Sequence, residues 1–376
     1  MILRPIHRPR RAARRALCGV LAAICASGCS GLGPRALESN RTRYNIAIQR
    51  TDSEELLLNL VRLRYRDTPF FLQLSSVSAN LRFRAAVGVG GQIASGGPDI
   101  ASVDGNVAIE ESPTITYTPL QGEKFVKQML EPVDLEILLW LTYSGWSVDR
   151  ALRLLVQEIN GVPNAPTASG PTPTLAPEYA AFQRATAILR SLQQRGLLRL
   201  ATSPGDLRDV RQSEERPRLY LILEPEALAL DETREFTEQL GLTPGRRHYE
   251  IVVRLGPPQP DRLSIVPRSI TAAMYYASQA VEVPEEDERA GWVTVTRDAA
   301  GQPFDWQQLT AGLIRVRSGG SASQAYVAVQ YRGHWFYIDD ADLDSKSTFA
   351  LLHQVLALQS GGAPSATPIL TLPVSR

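Results

Sequence analysis

The chain has 376 residues, with 40 lysines and arginines against 39 aspartates and glutamates, and a formal net charge of +1. This balance argues against a nucleic-acid-binding protein, because such proteins are usually strongly basic. The length suffices for two or three domains. All three cysteines lie within the first 29 residues, so the rest of the chain has none for a disulfide, a thiolate nucleophile or a zinc–thiolate site.

The first 28 residues have the pattern of a lipoprotein signal peptide. They hold six arginines and no acidic residue, and a short apolar run at 16–24 leads to Ala26-Ser27-Gly28-Cys29. A basic start, an apolar run too short to span a bilayer and small residues before the cleavage point are typical of a secretory signal. We therefore expect cleavage before Cys29 and lipid attachment to its thiol. A single membrane-anchor helix is the alternative, because Ala26 stands where lipoprotein leaders usually have leucine.

Removal of this leader changes the charge of the chain. The remaining 348 residues carry a formal charge of −5, because the leader takes six of the 40 basic residues and none of the 39 acidic ones. This negative balance argues against nucleic acid as a partner of the folded part.

The predicted N-terminal domain, 44–160, follows a short tether at 29–43. Thr51 and Glu54 have the spacing of a capping box, and apolar residues then repeat at helical spacing up to Tyr65. Apolar residues alternate with polar or small ones from Ala79 to Val89 and resume before Glu110, which predicts a long β-hairpin. Helical spacing returns three times between 121 and 159.

The second half has a mixed pattern. Residues 161–177 are rich in proline and small polar residues and are predicted to be a linker. Helices and strands then alternate over 178–360, with a tight-turn signal at Arg332-Gly333, and a polar tail follows at 361–376. The predicted fold class is α+β: a long N-terminal β-hairpin with helices, then a mixed α/β C-terminal domain.

The chain offers few candidates for metal or cofactor chemistry. Asp340, Asp342 and Asp344 alternate like the first ligands of a calcium loop, but the sixth and twelfth positions are Ser345 and Leu351 instead of glycine and glutamate. The alternative is that these acids cap the helix that follows. The histidines at 248, 334 and 353 are too far apart in sequence to predict a site. We therefore expect no catalytic residue, no metal and no cofactor.

A helix at 178–195 followed by a short strand is similar to a winged-helix fragment. Its arginines, together with one in the strand, are candidates for contacts with DNA, and the alternative is a packing helix with arginines at the surface. They are Arg184, Arg190, Arg195 and Arg199. An exported protein has no access to the chromosome, so we favour the packing helix.

Four stretches carry a resemblance to a known family. They are LLLNLVRLRYRDTP at 56–69, TITYTPLQGEK at 114–124, SGWSVDR at 144–150 and YRGHWFYIDD at 331–340. With these stretches the chain resembles an uncharacterised family of lipoproteins from Gram-negative bacteria. The resemblance implies an address in the cell envelope and supplies no catalytic residues.

These observations predict a cell-envelope lipoprotein anchored through Cys29. Ser30, where an inner-membrane retention signal would place aspartate, favours the outer membrane, with the protein facing the periplasm. We expect a non-enzymatic structural or assembly component, whose partners are envelope proteins or further copies of itself. Two alternatives stay open: an oligomeric outer-membrane pore or secretion component that inserts the hairpin at 79–110, and a hydrolase of envelope polymers.

Overall fold

The computed structural model describes residues 32–92, 100–202, 218–253 and 257–360, with side-chain environments for all of these except 32–41, 73–115 and 360. The predicted signal peptide, the lipidation residue Cys29 and the tail at 361–376 lie outside the described residues. The chain divides into two units, Met1–Leu56 and Leu57–Arg376.

The described chain begins with one long helix, α1, at Leu32–Arg64. Residues 32–43 of the expected tether are therefore helical. The predicted cap at Thr51 is wrong, because its hydroxyl donates to the carbonyl of Ile48 at 2.9 Å, within the helix. Because the hydroxyl hydrogen-bonds to a carbonyl one turn earlier, the helix continues through a sequence pattern that otherwise favours a helix start.

The second element is an antiparallel pair of long strands. Strands β1, Leu72–Gln92, and β2, Ile100–Pro119, form a two-stranded sheet. The register sets Phe83 opposite Ile109 and Arg82 opposite Glu110. The register also sets Val89 opposite Val103.

Helices and two further sheets make up the rest of the unit from Leu57 onward. The helices are α2 Glu123–Leu130, α3 Leu135–Tyr143, α4 Val148–Leu155, α5 Ala180–Gln194, α6 Asp231–Gln239, α7 Ile270–Ser278, α8 Glu285–Arg289, α9 Gln307–Thr310 and α10 Leu343–Ser360. The strands are β3 Val156–Ile159, β4 Val162–Pro163, β5 Leu198–Ala201, β6 Leu219–Leu223, β7 His248–Val253, β8 Arg262–Pro267, β9 Arg317–Gly319, β10 Ala325–Tyr331 and β11 His334–Asp339. Short 3₁₀ turns lie at Pro166–Ser169 and Pro225–Ala229.

The larger sheet has the strand order β4-β3-β8-β7-β6-β5, with β7 and β8 parallel and the other pairs antiparallel. The smaller sheet has the order β10-β11-β9. The protein is therefore a mixed α+β protein, as predicted. Within the described residues, no helix is both long enough and apolar enough to cross a membrane.

The expected linker at 161–177 is part of this packed unit. Strand β3, from before it, pairs with β8, from after it, so one sheet joins the two expected domains. Asn164 is fully buried and its amide donates to the carbonyls of Arg153 and Val156 at 2.9 and 2.6 Å. The polar composition that suggests a linker thus serves buried hydrogen bonds.

A buried arginine ties the same region together. The Arg268 side chain is fully buried and donates to the carbonyls of Arg153 at 3.0 Å and Val156 at 2.6 Å, and also to that of Asn164. Its guanidinium carbon lies 4.0 Å from the centroid of the Tyr276 ring. Because burial disfavours the charged form, the pKa of Arg268 falls to about 10. One side chain therefore crosslinks α4, β3 and the expected linker.

Candidate functional site

Two of the stretches that carry the resemblance meet in space. The stretch at 56–69 supplies Tyr65 and Asp67, just after α1. The stretch at 331–340 supplies Tyr331 and Arg332, at the turn between β10 and β11. The rings of Tyr65 and Tyr331 lie edge to face, with centroids 5.5 Å apart. We call this set, together with Asp287 and Trp292, the Arg332 cluster.

Local features fix both sides of this cluster. The buried Asn59 side chain, within α1, makes two hydrogen bonds with the backbone of Phe70. Its amide donates to the Phe70 carbonyl at 2.7 Å, and its oxygen accepts from the Phe70 amide at 2.9 Å. On the other side, Arg332 and Gly333 have φ angles of 48° and 88°, and Tyr331 pairs with His334. These positive angles are those of a tight hairpin turn, which the Arg-Gly pair predicted correctly.

The Arg332 guanidinium lies among three aromatic rings. Its central carbon is 5.2 Å from the ring centroid of Tyr65, 5.1 Å from that of Trp292 and 5.6 Å from that of Tyr331. Cation–π contacts of this kind are worth about 0.5–1 kcal/mol each at exposed sites. The rings therefore hold an exposed arginine side chain in a defined position.

Both phenol groups of the cluster donate to carboxylates. The Tyr65 hydroxyl donates to Asp287 Oδ2 at 2.5 Å, and Asp287 is 1% exposed. Burial is the main cause that raises the pKa of Tyr65 well above its usual range, and this hydrogen bond is the second cause. The Tyr331 hydroxyl donates to Asp67, and burial together with this hydrogen bond raises the pKa of Tyr331 as well. Both phenols thus stay protonated at neutral pH.

The short helix α8 positions two members of the cluster. Asp287 lies within α8, and the Trp292 amide donates to the Asp287 carbonyl at 3.1 Å where that helix ends. Glu286, on the same helix, has its Oε1 2.9 Å from His334 Nε2. The helix therefore directs a buried carboxylate to Tyr65 and leaves Trp292 half exposed beside Arg332.

A second arginine lies beneath the surface next to this cluster. Arg64 is 5% exposed, and its Nη1 donates to the Thr172 hydroxyl at 2.9 Å, while its buried Nε has no hydrogen-bond partner. Burial lowers the pKa of Arg64 to about 10, against the opposing effect of the Glu288 charge. Arg66 donates to the Thr172 carbonyl at 3.0 Å. The end of α1 is thus held against the expected linker.

The three alternating aspartates that resemble the start of a calcium loop have separate partners. Asp340 pairs with Lys346 at 2.7 Å, and Asp344 pairs with Arg150 at 2.6 Å. Asp342 accepts from the Ser345 amide at 3.0 Å in the first turn of α10, which confirms the capping interpretation for this residue. Within the described ranges, no group of three or more histidine, cysteine or acidic side chains could hold a metal ion.

The histidines at 248, 334 and 353 lie in different settings. His248 begins β7, and His334 pairs with Glu286. His353 lies on α10 with its ring centroid 5.0 Å from that of Phe349, and its buried Nε2 has no hydrogen-bond partner. Burial lowers the pKa of His353.

Three of the candidate DNA-contacting arginines are in surface ion pairs. Arg184 pairs with Glu235 at 2.5 Å, Arg195 with Glu232 at 2.6 Å and Arg199 with Glu224 at 3.0 Å. The remaining one, Arg190, donates to the Gln193 side chain at 2.9 Å. These contacts support the packing-helix interpretation, because acidic neighbours offset the charge of each paired arginine.

Comparison of the chain with models of protein families, with curated proteins and with solved structures found no match.

Proposed function

We propose that this protein is a lipid-anchored component of the cell envelope that acts through contacts with other proteins and catalyses no reaction. Its leader supports an anchor at Cys29, and Ser30 supports placement on the periplasmic side of the outer membrane. The Arg332 cluster is the surface that we assign to these contacts.

The makeup of the Arg332 cluster carries this proposal. Its two phenols and two carboxylates are engaged with one another, whereas general acid–base catalysis needs such a group within reach of a substrate proton. What remains at the surface is Trp292, 51% exposed, beside Arg332. Tryptophan, tyrosine and arginine are the residue types that most often dominate the energy of protein interfaces.

Affinity capture from the native host tests this proposal. Protein extracted in mild detergent should retain a reproducible partner, and Trp292→Ala should lose it. Trp140→Ala is the matched control, because Trp140 on α3 is also 51% exposed. Recovery of no partner, or equal recovery with both variants, would contradict the proposal.

The long hairpin of β1 and β2 favours a second candidate function. Its arms pair over about twenty positions, and transmembrane strands need about 9–11 residues. An oligomeric pore in which each subunit inserts this hairpin is therefore the alternative. Planar-bilayer recordings would separate the two functions, since a pore requires conductance that is lost on deletion of residues 79–110.

A further inference from the structure

The Arg332 side chain is already ordered for binding. Three aromatic rings surround its guanidinium, and its Nη2 lies 3.3 Å from Asp67 Oδ2. Immobilising a long side chain normally costs part of the binding free energy, and an arginine held in place beforehand avoids most of that cost.

The guanidinium of Arg332 has more N–H donors than its one carboxylate contact uses. It carries five N–H groups, and Asp67 is its single carboxylate contact, at the long distance of 3.3 Å, within the described residues. The side chain is 34% exposed, so part of it remains accessible to solvent. A second carboxylate is the group that fits this planar fork best, because it accepts two parallel hydrogen bonds.

An apolar surface adjoins these donors. Trp292 contacts Arg332 with a centroid distance of 5.1 Å and remains half exposed. A ligand that places a carboxylate on Arg332 would therefore bring its neighbouring group against the indole, where burial of apolar area is favourable.

Two of the four acidic residues at 285–288 interact with arginines. Glu285 lies 3.5 Å from Arg289, while the buried Asp287 accepts a hydrogen bond from the Tyr65 hydroxyl. The exposed Glu288 interacts with the positive charge of Arg64. An incoming carboxylate thus meets less repulsion than the four consecutive acids at 285–288 suggest.

We propose that Arg332 and Trp292 recognise a carboxylate that lies next to an apolar side chain on a partner protein. This inference rests on the proposed function for the nature of the partner, and the geometry of the Arg332 cluster supplies the chemistry. An acidic residue followed by a large apolar one, in an exposed segment, is the recognition element.

Indole N–H signals in NMR spectra of the mature, detergent-solubilised protein provide the test. The chain has five tryptophans, and Trp292→Phe assigns the relevant signal. The probe is the peptide acetyl-Gly-Glu-Phe-Gly-amide, compared with its Gln and Lys counterparts. We expect the Glu peptide to shift the Trp292 signal with an affinity about tenfold above that for the Gln peptide, and to leave the Trp140 signal unchanged.

Two substitutions at Arg332 complete the design. Arg332→Gln should abolish the preference for the Glu peptide, and Arg332→Lys, which keeps the charge and loses the planar fork, should reduce it to about threefold. The four other indole signals report whether each variant is folded. Equal binding of the Glu and Gln peptides, a preference for the Lys peptide, or no shift at any soluble concentration would overturn the inference.

Failure of this inference and failure of the proposed function give different results. A partner captured through Trp292 together with equal binding of the Glu and Gln peptides would leave the protein-contact function in place and reject the carboxylate. Absence of any captured partner would reject the function itself.

Discussion

Arg268→Met should be among the most damaging single substitutions in the chain. The Arg268 side chain is fully buried and donates to the carbonyls of Val156 at 2.6 Å and Arg153 at 3.0 Å, and to that of Asn164. Methionine fills similar space but donates no hydrogen bond. The amide of Asn164 still serves the carbonyls of Arg153 and Val156, whereas the Asn164 carbonyl loses its donor from Arg268.

The expected cost follows from these contacts. A hydrogen bond from a charged donor contributes about 1.5–3 kcal/mol, and an unpaired buried acceptor costs about 1–3 kcal/mol. The substitution also removes the contact between the guanidinium and the Tyr276 ring. Because the variant no longer has to bury a charge, part of the lost stability is recovered. We therefore expect Arg268→Met to lower the free energy of unfolding by about 3–5 kcal/mol, a large share of the stability of a typical domain.

Urea unfolding of the mature chain, followed by tryptophan fluorescence, measures this loss. The matched control is Arg184→Met, the same chemical change at an arginine that is 57% exposed and paired with Glu235, where a much smaller loss is expected. A loss at Arg268 of less than about 1 kcal/mol, or no larger than that at Arg184, would refute the role of Arg268 as a crosslink.

Three further predictions concern the Arg332 cluster and α10. Tyr65→Phe removes the hydroxyl that donates to the buried Asp287 and should lower the free energy of unfolding by about 2 kcal/mol. A double-mutant cycle with Asp287→Asn should give a coupling energy of about 1–2 kcal/mol, and no coupling would contradict the hydrogen bond. Gly333→Ala should cost about 1–2 kcal/mol, measured as a lower Tm, because φ is +88° although the space for a methyl group is open. Burial lowers the pKa of His353, so the unfolded chain binds more protons than the folded one below about pH 6.5, and stability should fall as the pH falls. His353→Leu should remove this part of the dependence in unfolding measured from pH 7 to 5, and identical profiles for variant and wild type would contradict it.

Local patterns predicted much of the secondary structure. The apolar spacing of Leu57, Leu60 and Val61 predicted the buried face of a helix, and all three are buried in α1. The start of that helix was missed, because the Thr51 hydroxyl can cap a helix or donate back to a carbonyl within one. Sequence spacing alone does not distinguish these two roles.

The interpretation of 161–177 shows what composition leaves out. Proline and small polar residues are frequent in linkers, but they also suit a compact segment whose polar groups are satisfied internally. Here Asn164 and Thr172 are buried, and each accepts a hydrogen bond from an arginine in a distant part of the chain. The partner Arg268 lies about a hundred residues away, so no local signal predicted it.

The Arg332 cluster depends on contacts across even longer distances. Tyr65 and Asp287 are 222 residues apart, and Asp67 and Tyr331 are 264 apart. The sequence singled out the two stretches that meet here, but their proximity and the contributions of Asp287 and Trp292 follow only from the fold. A charged residue such as Asp287 gives no sequence signal of burial.

Mass spectrometry of the N-terminal fragment, prepared from the native host, tests the central claim most directly. The account predicts that the mature chain begins at Cys29 and carries the mass of fatty acyl chains on its thiol and amino group. A fragment that still contains residues 1–28, or an unmodified Cys29, would contradict both the envelope address and the proposed role.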